Sequence, residues 1–377
     1  MFPLLEQAIG VLLLLLILLD IFLTVLYARI GTGIISDALT RLAWQFFLFF
    51  SKPFHQRRAH ILSFCGPVIV VFLVGIWALG LTCGTALMIH PKLGTAVRAS
   101  TGATPTDFIT ALYTGGSSIS VVGSSDLAPQ TSGFRLFYLL NSVIGMSVVS
   151  LTLTYLMQIY TALQQRNALG LKIHLMTSST DDAAVLIAGL GPQGQFNSGY
   201  SNLADLSAEM TQVKELHHFY PVLFYFRFCE PYYSVSMSVL VAFDTVTLLK
   251  TGLRDEPYGW LKSSASVSQL WHAALLLVRT LEDTFLPGGS PDEPQPPDGP
   301  TQERWRGRYF AGLQRLQQGG IHTITNEQAG AAAYVSLRTQ WDTYITRLAP
   351  TLAYSMSEID RAGSQPAAGD QRKFAHI

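Results

Sequence analysis

Continuous apolar runs dominate the first 163 positions, and helical periodicity dominates the remainder. Residues 4–27 contain Val11, Leu12 to Leu16, Ile17, Leu18 and Leu19. With its flanks this block has about 20 apolar positions, enough for a helix to cross a bilayer. No basic residue precedes it and no small-x-small site follows it, so the pattern predicts a retained span and not a cleaved leader. Asp20 interrupts the block. An acid inside a span is a functional candidate, or is hydrogen-bonded to a neighbouring helix, or lies near the interface. Residues 61–89 form a second apolar block, spaced by Gly66, Gly75, Gly80 and Gly84, small residues that let helices approach closely. Residues 135–163 form a third, carrying Asn141, Ser142, Ser147, Ser150, Thr152 and Thr154, which predicts a helix facing protein or water as well as lipid.

The stretch between the first two blocks, residues 29–60, holds Arg29, Arg41, Lys52, Arg57 and Arg58. A basic short loop is expected on the cytoplasmic side. Within it, 37–54 places Leu39, Leu42, Ala43, Phe46, Phe47 and Phe50 at helical spacing, with Trp44 among them, as in a helix lying along the inner membrane surface. The expected topology puts the N-terminus outside and everything after residue 163 in the cytoplasm, in a multi-pass protein of the cell (plasma) membrane. Arg166 and Lys172, just past the third block, agree with it.

Composition sharpens this division. Of 377 residues, 49% are hydrophobic and 13% charged, against about 25% charged in ordinary soluble domains. Residues 1–163 hold eight Lys/Arg and five Asp/Glu, and the remainder hold 17 and 20. The formal net charge is zero, so nothing points to nucleic acid. Cys65, Cys83 and Cys229 have neither disulfide nor metal-ligand spacing.

Between the second and third blocks lies a polar, glycine-bearing loop. Thr104-Pro105-Thr106-Asp107 reads as a helix start, with Thr104 as cap, Pro105 in the first turn and Asp107 completing a capping box. The helix is expected to run to about Ser117, with partial negative charge at its C-terminal end that favours a cation. Val121, Val122, Gly123, Ser124 and Ser125 follow, a strip whose carbonyls can replace the hydration shell of an ion. Asp126 adds a carboxylate at the expected outer mouth.

This order resembles the pore domain of the potassium channel family, which has two helices and one pore loop per subunit. The family filter reads Thr-Val-Gly-Tyr-Gly-Asp, and residues 121–126 match its second, third and sixth places through Val122, Gly123 and Asp126. Pro129, Arg135 and Gly145 fall where the family has a proline, a basic residue opening the inner helix and a gating-hinge glycine. The filter is atypical. Val121 replaces the threonine ligand, Ser124 the bracing tyrosine and Ser125 the second glycine. The resemblance implies an ion-conducting filter at Val121, Val122, Gly123, Ser124 and Ser125, an outer-mouth charge at Asp126 and a candidate hinge at Gly145. It also implies a homotetramer, since four loops surround one ion, and permeant potassium or another monovalent cation in place of any cofactor or bound metal.

After residue 163 the expected organisation is helical. The Gly-x-Gly-x-x-Gly at 189–194 follows an apolar run but precedes loop chemistry, so a short helix with a glycine cap is predicted in place of a dinucleotide site. Helices are predicted over 201–220, 232–251, 263–285, 301–318 and 326–348, the second as a buried core helix. Adjacent His217 and His218 do not share a helix face, and no catalytic constellation appears, so an enzyme is not expected.

The predicted fold class is an all-α membrane protein: transmembrane helices with a re-entrant pore helix and filter, then a mainly helical cytoplasmic domain. The domains are 1–60 (first span and interfacial helix), 61–163 (pore domain), 164–362 (helical cytoplasmic domain with a proline-rich linker at 287–300) and 363–377 (disordered tail). The expected function is a tetrameric cation channel in the lipid bilayer, regulated from the cytoplasm by a ligand or protein the sequence does not identify. The alternative is a non-conducting anchor or sensor that reuses the pore architecture.

Overall fold

The computed structural model describes residues 2–27, 33–120, 123, 126–291, 293 and 295–361. The predicted tail at 363–377 lies outside the described residues. The described chain is all-α apart from two three-residue strands. Its helices are α1 (Phe2–Ile21), α2 (Ile35–Ser51), α3 (Arg58–Ser63), α4 (Cys65–Ile89), α5 (Phe108–Ile119), α6 (Ser132–Met176), α7 (Ala183–Leu190), α8 (Gly199–Phe219), α9 (Val235–Gly252), α10 (Asp255–Lys262), α11 (Ala265–Phe285), α12 (Gly299–Gln318), α13 (Glu327–Thr351) and α14 (Met356–Ile359). Strand β1 (Val97–Ala99) pairs antiparallel with β2 (Leu127–Pro129). The chain divides into two compact units, one of residues 1–53, 64–161 and 220–222, the other of 54–63, 162–219 and 223–377.

Among the described residues, four helical stretches are long and apolar enough to cross a membrane: Pro3–Leu26, Arg58–Lys92, Ser132–Met176 and Val235–Gly252. Several such helices fit a multi-pass membrane protein. They also correct the resemblance to the potassium channel pore domain. The spans are scattered among the 14 α-helices of the described residues, not gathered into a compact two-helix, one-loop repeat. The expected inner helix of 135–163 is part of a 45-residue helix, about 68 Å long at 1.5 Å per residue and more than twice the hydrocarbon thickness.

In the first unit, α1 and α4 pack through small residues. A Cβ on Gly84 would lie 2.8 Å from Leu14, and one on Gly10 would lie 2.7 Å from the Gly84 carbonyl. Asp20 sets the turn into α2. Its Oδ1 accepts from the backbone N–H of Ile34 and Ile35, both at 2.8 Å, and its Oδ2 accepts from Trp77 Nε1 of α4 at 2.8 Å. The start of α2 is thus capped by an acid from α1, which accounts for a fully buried carboxylate in an apolar segment. Helix α2 is turned inside out relative to a soluble helix. Ser36, Thr40 and Trp44 are buried, while Leu42, Phe46 and Phe49 are exposed. Such a face suits lipid.

In the second unit, α9 is buried along nearly its whole length and lies among α7, α11, α12 and α13. This agrees with its prediction as a core helix. Phe243 of α9 stacks on Trp341 of α13 at 5.4 Å. Beside them is a buried ionic cluster. Asp244 accepts from Arg308 at 2.9 Å and from the Tyr334 hydroxyl, and Asp360 pairs with Arg308 and with Arg338, the latter at 2.8 Å. Burial works to raise the Asp360 pKa, but the charges of Arg308 and Arg338 outweigh it and hold the group down at about 2.

Arg166 has an environment that the sequence did not show. It was read from the sequence only as a marker of topology just past a span, and it is buried. It donates to the carbonyls of Leu223 at 2.7 Å and Phe226 at 2.9 Å, and the Phe228 ring lies 5.5 Å away. Among the described residues it pairs with no carboxylate. Burying an ion costs several kcal/mol, and two charge-assisted bonds return about 1.5–3 kcal/mol each.

Candidate functional site

The candidate site is the excursion between α4 and α6. It leaves through β1, forms α5 and returns through β2. Val97 is in register with Pro129 and Ala99 with Leu127, so both ends of the excursion are tied together. Thr104 does not cap α5, as its sequence position suggested. Its hydroxyl accepts from Ala99 N–H at 2.9 Å and closes the turn after β1. The cap is Asp107, whose Oδ1 accepts from Thr110 N–H at 2.9 Å and whose Oδ2 accepts from the Thr110 hydroxyl at 2.8 Å. These two bonds hold the Asp107 carboxyl below the usual carboxylate range. The helix therefore begins three residues later than predicted and ends later, at Ile119.

Helix α5 buries Ala111, Thr114, Gly115 and Ser118. A Cβ on Gly115 would lie 2.9 Å from the Ala86 nitrogen of α4, so the two backbones are in contact. On the other side, Asn141 of α6 donates to Ser118 Oγ at 3.2 Å. A small core of Ala86, Ile89, Leu93, Val97, Ala111 and Leu127 fixes the base of the excursion, with Phe134 and Phe137 of α6 packed on it.

Beyond α5, Val121, Val122, Ser124 and Ser125 lie outside the described residues. Gly123 has φ of +70°, a left-handed conformation that glycine adopts without the steric cost of a side chain. A Cβ added to it would meet nothing within 4 Å. Asp126 is exposed, and the Tyr113 hydroxyl donates to its Oδ2 at 3.5 Å. Gly145 lies inside the continuous α6, where its backbone meets the Ile119 carbonyl at the end of α5. The structure thus places Gly123 and Asp126 in the loop after α5 and Gly145 against its last residue. The sequence reading missed the Asn141–Ser118 bond, the Gly115–Ala86 contact and the β1–β2 tie. Asp107 followed by Thr110 was a legible capping signal. The strands are too short to show alternation.

Among the described residues no group of three or more His, Cys, Asp or Glu is placed to hold a metal ion. What the excursion places together is the C-terminal end of a short helix, a glycine of positive φ and, at its two ends, the carboxylates of Asp107 and Asp126.

No known family model matches the chain, and no solved structure matches it. The chain is 20% identical over 318 residues to an uncharacterized membrane protein, YdjJ, of Bacillus subtilis (strain 168). That similarity takes in 84% of this chain and 86% of the bacterial one.

Proposed function

We propose that this protein conducts monovalent cations across a membrane through a pathway lined by the loop after α5 in an assembly of several copies. The observation that carries the reading is the β1–β2 tie around α5. The chain leaves and returns at one end, and α5, with 12 residues, is about 18 Å long, too short to cross the hydrocarbon core. Irregular backbone at membrane depth is tolerated where protein or water covers it. The C-terminal end of α5 and Asp126 both supply negative potential to such a path.

One loop does not surround an ion, so several copies are required, and a fourfold ring is the proposed assembly. Exposed Leu139, Val143, Met146 and Val149 on α6 leave apolar surface for lipid or for other copies. The basic residues of the loop before α4 favour a cytoplasmic location for that loop. An outside N-terminus and a cytoplasmic second unit follow from it.

The test is cation flux into liposomes holding the purified full-length protein, with the reversal potential read in mixed potassium and sodium. Flux above that of empty vesicles is expected, and Gly123→Asp should abolish it without changing the assembly size. Flux equal to that of empty vesicles over a range of pH and voltage would sink conduction and leave the non-conducting anchor.

A further inference from the structure

Helix α6 buries one face and exposes two lines of residues. Asn141 and Gly145, on the buried face, are taken up by α5. One exposed line is wholly apolar: Leu139, Met146, Val149 and Leu153. It suits lipid tails. The other line lies opposite Asn141 and Gly145 and reads Val143, Ser147, Ser150, Thr154, Met157 and Thr161. Its steps alternate between four and three residues, and every member is exposed. This is the heptad spacing of a seam along which two helices coil around each other. The same spacing runs on to Leu171 and Leu175, both exposed. No charged residue lies between Arg135 and Arg166.

The composition of the second line separates it from a lipid face. Ser147, Thr154 and Thr161 donate their hydroxyl hydrogens to the carbonyls one turn back, on Val143, Ser150 and Met157, at 2.8, 3.0 and 2.9 Å. The hydroxyl hydrogens are therefore satisfied within the helix, and what the line presents outward is small bulk. Small and hydroxyl-bearing residues let helix backbones approach in a membrane, where packing drives helix association. Lipid also does not cover the whole line, because a 45-residue helix is more than twice as long as the hydrocarbon core is thick.

We propose that this line is the contact surface between copies of the chain, with α6 packed against α6 of a second copy. Copies inserted in one membrane share one orientation, so the helices meet in parallel and each residue faces its own equivalent. Such a pairing tolerates no like charges at the seam, and the line carries none. The seven-residue period gives a left-handed crossing. A contact here presupposes the assembly of several copies but not conduction, and it is read without measuring flux.

The test places single cysteines in the full-length chain, on the proposed seam and on the apolar line beside it. The native Cys65, Cys83 and Cys229 stay in place, and the wild-type chain sets the baseline. Cysteine behaves as a small hydrophobe, so these exposed positions accept it without loss of the fold. Oxidation in membranes, read on non-reducing gels, should cross-link Ser147→Cys, Ser150→Cys and Thr154→Cys at least about five-fold more than Met146→Cys, Val149→Cys and Leu153→Cys, because a disulfide forms only between closely apposed Cβ atoms. The excess should persist when the protein is diluted with added lipid. Equal yields on the two lines, yields at the wild-type level on both, or an excess lost on dilution each overturn the proposal.

Discussion

Gly145 of α6 meets the carbonyl of Ile119, the final residue of α5, so closely that a methyl group at position 145 would collide with it. The same face of α6 supplies Asn141 to Ser118. Gly145→Ala should therefore push α5 away from α6 and destabilise the first unit by about 1–3 kcal/mol, the usual cost of overpacking. Thermal melting of the purified protein measures this. A pure hinge would respond differently, with altered opening and an unchanged melting temperature. An unchanged melting temperature in Gly145→Ala would remove the packing role assigned here.

Asp20 joins three helices, because it accepts from the start of α2 and from Trp77 of α4 while standing on α1. Asp20→Ala would leave the Trp77 indole N–H, the Ser36 hydroxyl and the backbone N–H groups of Ile34, Ile35 and Ser36 without their acceptor. Each orphaned donor costs about 1–3 kcal/mol, so a total loss on the order of 3–5 kcal/mol is expected once water recovers part of it. Asp20→Asn keeps one oxygen acceptor and should cost less than half as much. Melting or protease resistance of the two variants in detergent gives the order. If Asn were as damaging as Ala, the negative charge and not the acceptor count would be the controlling feature.

The long helices were legible because burial imposes a period on the sequence. Leu203, Leu206, Met210 and Val213 mark α8 in this way, and all four are buried. Helix α6 was cut short at 163 because Gln164, Gln165 and Arg166 interrupt the apolar run. Burial of Leu169 and Ile173 continues the helix beyond them. A basic residue after a span normally reports topology, and nothing local distinguishes a solvated arginine from one held by carbonyls 57 and 60 positions later. The site was legible in part. Gly123 has the positive φ that a glycine there permits, and Asp126 is exposed at the return. The Gly115–Ala86 contact was not legible, because it depends on partners distant in sequence. The letters that resembled a known filter did not extend to the rest of the architecture, since three matches in six positions carry little information about the 14 α-helices of the described residues.

Glu282 on α11 has a fully buried side chain, with Arg347 Nη1 3.4 Å from its Oε2. Burial raises its pKa from the ordinary 4.5 to about 7, against the lowering effect of Arg347. The sign follows directly. The folded protein holds this proton more tightly than the unfolded chain does, so the contribution to stability is complete below pH 4.5 and is lost as pH rises through 7. Glu282→Gln should melt higher than wild type above pH 7, and the gap should close below about pH 5. A gap that stays constant from pH 5 to 8 would mean that the carboxyl does not titrate in this window.

Asp126 is exposed at the return from α5, with the Tyr113 hydroxyl 3.5 Å from its carboxylate. If the loop lines a cation path, this charge raises the local cation concentration, and the effect must weaken with salt. At about 10 mM salt the screening length is about 30 Å, and at 1 M it is about 3 Å. Asp126→Asn should therefore lower cation flux about two- to five-fold at low salt and leave it nearly unchanged at 1 M. Tyr113→Phe separates charge from geometry, because it removes the hydrogen bond and keeps the carboxylate. It should change flux less than Asp126→Asn at low salt. Flux measured in liposomes across a salt series reads both. A loss in Asp126→Asn that is equal at both salt concentrations would point to a structural role for the carboxylate, and the electrostatic role would fall.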